Sequence, residues 1–162
     1  MAIPAGEIIF LDTNILVAAT DESRPFHALA RKLIARGRSA GLYGATSGQV
    51  IREYLVVATR PPSANGLGLS TADALRNIEA LARCLEFCEE SEEVSVRLRG
   101  LVAAGGLAGT AVHDANIVAT AAVHGIGFLA TENPDDFARY PEIEIVRLAE
   151  LADRFPAAKE TR

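Results

Sequence analysis

The sequence predicts one α/β domain with a mostly parallel central sheet and helices on both faces. Short unbroken apolar runs, such as IIFL at residues 8–11, are typical of strands buried on both sides. They alternate with longer segments whose apolar residues recur at helical spacing, the pattern of a parallel sheet with helical crossovers. The 162 residues suit a single domain. We assign residues 1–155 to it and residues 156–162 to a flexible polar tail.

The first half of the chain contains two strand candidates and four helices. After the first strand a helix begins near Ile15, and a second one spans residues 25–35 before a glycine ends its apolar pattern. The run at 42–46 is short and flanked by glycines, and it leads into Ser47, a candidate N-cap for the third helix. A loop rich in proline and glycine at 60–70 separates this helix from the fourth.

The second half contains three further strand candidates and two helices. A brief apolar run at 85–88 predicts a strand, and Ser91 with acids behind it begins a helix. The segment HDANIVATAAVHG at 113–125 is a helix ended by glycine. The apolar runs at 126–130 and 143–146 are the last two strands.

Composition limits the class of protein. No segment approaches the ~18 uninterrupted apolar residues of a membrane span, and the N-terminus lacks a basic region before an apolar block, so we expect a soluble, cytoplasmic protein without membrane contact. Cys84 and Cys88 lack the spacing of a zinc site and are expected to be reduced structural thiols. The net charge is −5, yet residues 24–38 carry five cations and no acid, which indicates a solvated helix face or a local binding surface.

Polar residues follow the predicted strands at one edge of the sheet. Asp12 comes directly after the first strand and Thr131 after the fourth, Glu53 lies about one turn into the third helix, and Asp114 heads the helix at 113. Each acid has an ordinary explanation, because Asp12 and Asp114 are good N-caps and Glu53 suits a solvated helix face. The carboxyl ends of parallel strands form one edge where ligands bind, so we expect these acids to converge there.

Four motifs in order carry a family resemblance that spans residues 8–146. They are LDTNIL at 11–16, SGQVIREYLVVATR at 47–60, HDANIVATA at 113–121 and FLATENPDDF at 128–137. Together they resemble the PIN domain and, more narrowly, the VapC-type toxins of bacterial toxin–antitoxin pairs. Each motif is weak alone, whereas four with this order and spacing form a specific pattern.

The resemblance implies which residues form the site. The three acidic positions of the family match Asp12, Glu53 and Asp114. A fourth acid often follows the next strand, and that place holds Asn133 here, while the Asp-Phe pair of the family matches Asp136 and its neighbour. Whether Asn133 or Asp136 takes the fourth role stays open.

The chemistry that these residues support is cleavage of a phosphodiester by water. Gathered carboxylates bind a hard cation such as Mg²⁺ or Mn²⁺, which polarises water and stabilises charge on the phosphate. In this hypothesis Asp12 and Asp114 bind the metal, Glu53 completes the shell or positions water, and Asn14 and Thr131 orient the carboxylates. Without metal, mutual repulsion should raise the pKa of at least one acid.

The resemblance also implies an activity and partners. It predicts an endoribonuclease that leaves 5′-phosphate and 3′-hydroxyl ends, a VapB-type antitoxin that covers the acidic edge, and a homodimer. Arg24, Arg31 and Lys32 are candidates for contact with RNA or with the antitoxin. No motif identifies the RNA that is cleaved.

Other functions compete with this hypothesis. A haloacid-dehalogenase-type phosphatase would need an acid at position 14, which is Asn14 here. Both this phosphatase and a receiver domain also need a lysine late in the chain, and no lysine lies between Lys32 and Lys159. An RNA-processing nuclease without a toxin role, and a PIN-like binding module that has lost its metal, remain open.

Overall fold

A computed structural model describes residues 3–154 and contains a five-stranded, fully parallel sheet. The strands are β1 (Glu7–Leu11), β2 (Leu42–Ser47), β3 (Glu86–Cys88), β4 (Phe128–Ala130) and β5 (Glu144–Val146). Their order across the sheet is β3-β2-β1-β4-β5. The predicted α/β class is confirmed.

Helices connect all the strands. They are α1 (Thr13–Thr20), α2 (His27–Arg36), α3 (Gly48–Thr59), α4 (Thr71–Ala82), α5 (Glu92–Gly105), α6 (Ala111–Val123) and the one-turn α7 (Pro134–Phe137), with short 3₁₀ helices at Arg38–Ala40, Pro62–Ala64 and Leu148–Arg154. Helices α1 to α4 pack among themselves, and α5 packs against α6. Because crossovers between parallel strands are right-handed, the reversal of strand order at β1 places these two groups on opposite faces.

That reversal brings the carboxyl ends of β1 and β4 side by side. Leu11 pairs with Ala130 in the parallel ladder. The backbone N–H of Asp12 then donates to the carbonyl of Ala130 over 3.0 Å, and the N–H of Thr131 donates to that of Val146 over 3.1 Å. A strand-order reversal of this kind is where open α/β sheets bind ligands.

The core that holds this edge is aliphatic. Ile9, Phe10 and Leu11 of β1 are fully buried, as their unbroken apolar run predicts, and α1 buries six of its eight residues. Tyr54 of α3 is also fully buried, and its hydroxyl shares a 3.0 Å hydrogen bond with Thr20 at the end of α1. These contacts fix α1 and α3 relative to the central strand.

The sixth helix corrects one prediction. It begins at Ala111 rather than at residue 113, so Asp114 lies inside its first turn and is not its N-cap. The N–H groups of Val112 and His113 already bond to the carbonyls of Gly109 and Thr110. This extends the helix backwards beyond the apolar pattern that marked its start in the sequence.

Three strands are shorter than predicted. Leu85, Ile126 and Ile143, where the last three strands were expected to begin, instead donate their N–H groups to carbonyls of the preceding turns. The predicted tail at 156–162 lies outside the described residues. None of the helices within residues 3–154 combines the length and apolar character that crossing a bilayer requires.

Candidate active site

Asp12 is the most constrained of the three acids at the carboxyl ends of the strands. It follows β1, begins α1, and is only 8% exposed. Its Oδ1 accepts the N–H of Thr13 at 2.6 Å, and its Oδ2 accepts both the side-chain amide of Asn14 at 2.8 Å and the hydroxyl of Thr131 at 2.7 Å. With two donors on Oδ2 and one on Oδ1, only Oδ1 retains free accepting capacity facing a ligand.

Asn14 and Thr131 also join the two neighbouring strand ends. The amide of Asn14 lies 3.0 Å from the hydroxyl of Thr131, and its oxygen accepts the N–H of Glu132 at 3.2 Å. The same hydroxyl accepts the N–H of Asn133 at 3.0 Å. The start of α1 and the loop after β4 therefore form one hydrogen-bonded unit around Asp12.

Glu53 is held by a second network. Thr13 donates its hydroxyl to Oε2 of Glu53, and Gln49, one turn earlier on α3, donates its amide to Oε1, both over 2.7 Å. Gln49 also donates to the backbone carbonyl of His113 at 2.9 Å and accepts from the amide of Asn116 at 2.7 Å. This chain of contacts links α1, α3 and α6.

Asp114 lies in a more open and more acidic setting. Burial raises its pKa, the negative charges of Asp136 and Glu53 add to the rise, and the nearby His113 and Arg139 oppose it. Within residues 3–154 its side chain accepts no hydrogen bond, in contrast to Asp12 and Glu53. Asp114 is thus free to accept a ligand through both oxygens.

The pKa of Asp12 is raised from 3.8 to about 6. Burial is the main cause, because a charge loses its hydration there. Hydrogen bonds from Thr131 and Thr13 lower the pKa, while the charges of Glu53 and Asp114 raise it further. The three acids predicted from sequence are therefore close enough to influence one another electrostatically.

The donor set fits a hard divalent cation, which favours carboxylate oxygens and relieves repulsion among them. In the part of the chain that the structure describes, no three or more His, Cys, Asp or Glu side chains are already arranged to hold one ion directly. Mg²⁺ usually keeps several water ligands and binds through one or two carboxylates. A cation held partly through water is the arrangement that these residues suit.

A pocket of about 590 Å³ adjoins this site between α3, α5 and α6. Its polar lining includes Thr13, Gln49, Glu53 and Asn116, which belong to the network around Glu53. Its remaining wall consists of Arg52, Val56, Val57, Arg60, Leu98, Val112 and His113. Glu53 therefore faces an open space large enough for a small ligand.

The basic candidates lie apart from the acids. Arg24 pairs with Asp21 at 3.2 Å, and neither Arg31 nor Lys32 forms an ion pair within the described residues. None of the three is among the charges that shift the pKa of Asp12 or Asp114. Their proposed contact with RNA or an antitoxin would involve a different part of the surface.

The two candidates for the fourth acidic role differ in position. Asp136, on α7, is close enough to Asp114 to raise its pKa. Asn133 has an exposed side chain, and only its backbone N–H joins the network, through Thr131. Both side chains are exposed, and Asp136 is the one that adds a negative charge near Asp114.

Sequence reasoning gave no role to several residues of the site. Thr13 and Asn116 hold Glu53 directly or through Gln49, and Arg139 is the one arginine among the charges that shift the pKa of Asp114 within the described chain. Gln49 was recognisable from its position four residues before Glu53 on the same helical face. Arg139 lies in the turn after α7 and belonged to no recognised pattern.

Comparison with known families gives one match. The family model described as the PIN domain matches residues 9–143. No curated protein sequence matches the chain. The match covers most of the chain and includes all three acids, in agreement with the resemblance predicted from the motifs.

Solved structures with the same fold include proteins of bacterial toxin–antitoxin systems. A toxin–antitoxin complex from Klebsiella pneumoniae is 24% identical, with a TM-score of 0.58 over 86% of this chain and 97% of that one. DNA-bound VapBC from Salmonella typhimurium is 21% identical, with a TM-score of 0.61 over 88% and 98%. VapC20 from Mycobacterium tuberculosis, described as a toxin that cleaves the sarcin–ricin loop, is 18% identical, with a TM-score of 0.61 over 83% and 98%. At these identities the likeness establishes the fold alone.

Proposed function

Because the chain belongs to the PIN-domain family, we propose that it is an endoribonuclease dependent on Mg²⁺ or Mn²⁺ and that it is the toxin of a toxin–antitoxin pair. The observation that carries this proposal is the meeting of Asp12, Glu53 and Asp114 at the carboxyl edge of the sheet. These acids come from three separate elements, and the pKa values of Asp12 and Asp114 are raised by burial and by the negative charges of neighbouring acids.

Specific atoms are suited to hold the cation. Asp12 would contribute Oδ1, since its Oδ2 already accepts two hydrogen bonds. Asp114 would contribute a carboxylate that no hydrogen bond from residues 3–154 restrains. When bound, the cation would supply Lewis-acid activation of water and stabilisation of charge on the phosphate.

The protein's own groups would position the reactants. Each oxygen of Glu53 accepts one hydrogen bond, from Thr13 or Gln49, and keeps capacity for another. Glu53 would therefore orient the attacking water and accept its proton at whichever oxygen faces the phosphate. Asn14 and Thr131 would keep Asp12 in place during this step. Cleavage would leave 5′-phosphate and 3′-hydroxyl ends.

The proposed partners follow from the fold neighbours. VapBC complexes are among them, which supports a VapB-type antitoxin, and a homodimer is part of the same proposal. The antitoxin would cover the acidic edge, and Arg24, Arg31 and Lys32 would contact either it or RNA phosphates. The toxin would act in the cytoplasm, where its RNA substrate lies, on unpaired loops that an enzyme can reach.

The test is cleavage of bacterial RNA by the purified chain with Mg²⁺ or Mn²⁺, with the new ends mapped. We expect Asp12→Asn to abolish cleavage and Asp153→Asn, a change at an exposed acid outside the site, to leave it intact. In a bacterium, expression should arrest growth, and Asp12→Ala should relieve the arrest. Full cleavage by Asp12→Asn would end the assignment.

A PIN-like binding module without catalysis is the second candidate. The uncharged Asn133 at the fourth acidic position is the observation that favours it. Calorimetric titration with Mg²⁺ separates the two functions, because a binding module would show no affinity that depends on Asp12 and Asp114. The nuclease should show such affinity, and each Asp→Asn variant should lose it.

A further inference from the structure

The pocket beside Glu53 has a wall that the acidic site does not use. Val56, on the outer side of α3, is 52% exposed although it is apolar. Val57, Leu98 and Val112 continue the apolar wall, and all are only partly buried. Exposed apolar side chains are unfavourable in water. When they line a concavity, they typically mark a site that a ligand covers.

The polar groups of the pocket complement this wall. Arg52 and Arg60 extend from α3, and Arg52 is already paired with Glu90 at 3.3 Å. Arg60 has no ion pair in the described part of the chain. The amide oxygen of Asn116 accepts no hydrogen bond within residues 3–154, although its nitrogen donates to Gln49. Within the described residues, the pocket thus combines an apolar wall, an arginine without an ion pair and an amide oxygen without a donor.

From this combination we infer that the pocket binds one unpaired nucleotide of the RNA, adjacent to the phosphodiester that is cleaved. The inference rests on the proposed nuclease function and extends it to a subsite. The base would lie against the valines and Leu98, Asn116 would contact its polar edge, and Arg60 would contact a flanking phosphate.

Continuity with the acids favours RNA over a protein segment as the occupant. Glu53 lines the pocket together with Thr13 and Gln49, the two residues that hold its carboxylate, so a phosphate at the acids places its neighbouring nucleotide at this opening. An available arginine matches the negative charge of that nucleotide. The volume of about 590 Å³ is in the range of pockets that enclose a small ligand.

The first test fills the pocket without changing an acid. Val56→Phe and Val112→Phe enlarge its wall, and Val96→Phe on α5 is the matched control, because Val96 is 55% exposed and does not line the pocket. Binding of a fluorescent, unstructured oligoribonucleotide is measured by anisotropy in EDTA, so that metal plays no part. We expect the two pocket variants to bind on the order of tenfold more weakly than the control.

The second test concerns the phosphate contact. Arg60→Ala should weaken binding and reduce the slope of log affinity against log salt by about 0.7, the value for one phosphate of a single strand. Arg99→Ala is the control, since Arg99 is exposed on α5 and lies outside the pocket. Thermal unfolding of all five variants checks that each is folded.

The outcomes separate the subsite from the nuclease. If the wild type cleaves RNA while the pocket variants bind and cleave like Val96→Phe, the subsite is refuted and the nuclease stands. If light scattering shows that the pocket variants alter only the oligomeric state, the pocket is a contact between copies of the chain, which also refutes the inference. If the wild type neither binds nor cleaves RNA, the proposed function itself fails.

Discussion

The two sides of the acidic site differ in how firmly the protein holds the carboxylate. On the β1–β4 side, Asp12 is 8% exposed and accepts three hydrogen bonds from groups of its own chain. On the α6 side, Asp114 is partly open and accepts none within residues 3–154. The inner carboxylate is fixed before any ligand arrives, whereas the outer one retains its full capacity to bind one.

The difference shows how an acid site can be both ordered and reactive. A fixed carboxylate costs stability, because burial opposes its charge, and within residues 3–154 no cation is among the charges that act on Asp12. An open carboxylate costs less and can adapt to a ligand. Mutations on the two sides should affect RNA cleavage most strongly.

Loss of either charge should nearly eliminate cleavage, by at least about 10²–10³-fold, as is typical when a group that stabilises the transition state is removed. Calorimetry tests the open side directly. Asp114→Asn should lose most of the affinity for Mg²⁺, because no hydrogen bond within residues 3–154 engages this carboxylate. Equal retention of metal affinity in Asp114→Asn and the wild type would contradict the division between the two sides.

The next effect is on stability and pH. The folded pKa of Asp12, about 6, lies above its ordinary value of 3.8, so the unfolded chain loses this proton first and the native state loses stability as pH rises between these values. The difference corresponds to about 3 kcal/mol. In EDTA, the wild type should therefore lose up to this amount of its free energy of unfolding, relative to Asp12→Asn, as the pH rises from 4 to 7. Denaturant unfolding at several pH values measures it, and a constant difference would contradict it.

A smaller effect tests the inner network alone. Thr131→Val removes a donor from Asp12 and leaves the N–H of Asn133 without its acceptor, which should cost about 1–3 kcal/mol. Thr120→Val is the matched control, because Thr120 is equally buried but its hydroxyl bonds only to a carbonyl of its own helix. Denaturant unfolding at neutral pH should rank Thr131→Val well below Thr120→Val; equal losses would count against the network.

The smallest effect is on the positioning of Glu53. Gln49→Ala removes the amide that holds Oε1, so kcat should fall about tenfold, the lower end for groups that support a metal site. KM should change less than kcat, because the side chain of Gln49 is already engaged by Glu53, His113 and Asn116. Gln49→Glu restores the size of the side chain without its donor, and it should not recover the lost rate. A change in KM alone would instead assign Gln49 to RNA binding.

Much of the fold was predictable because its strands are buried on both faces. The run at residues 8–11 allowed the first strand to be placed, and the acid that ends it was recognised as part of an edge where others would meet. The starts of β3 to β5 were not predictable, because the apolar residues shortly before them, Leu85, Ile126 and Ile143, bond to the preceding turns. The start of α6 was missed because its first hydrogen bonds involve Gly109 and Thr110, which no apolar pattern marks as helical.

The acids of the candidate site were predictable, and so were Asn14 and Thr131 beside Asp12, whereas the partners that reach Glu53 and Asp114 from other elements were not. Periodicity places Gln49 beside Glu53, but it cannot show that Asn116 from another helix completes the contact. Arg139 influences Asp114 only because α7 and the chain after it fold back over α6. Contacts between side chains from distant elements depend on packing that no local pattern encodes.

The chain order of the strands also determines when the enzyme comes into existence during synthesis. Asp12 and Glu53 are made early, but Thr131, which orients Asp12, enters only after β4 has joined β1. A polypeptide whose translation stops before residue 128 therefore cannot assemble the complete centre. For a protein proposed to cleave RNA in its own cell, prematurely terminated products would lack the completed centre.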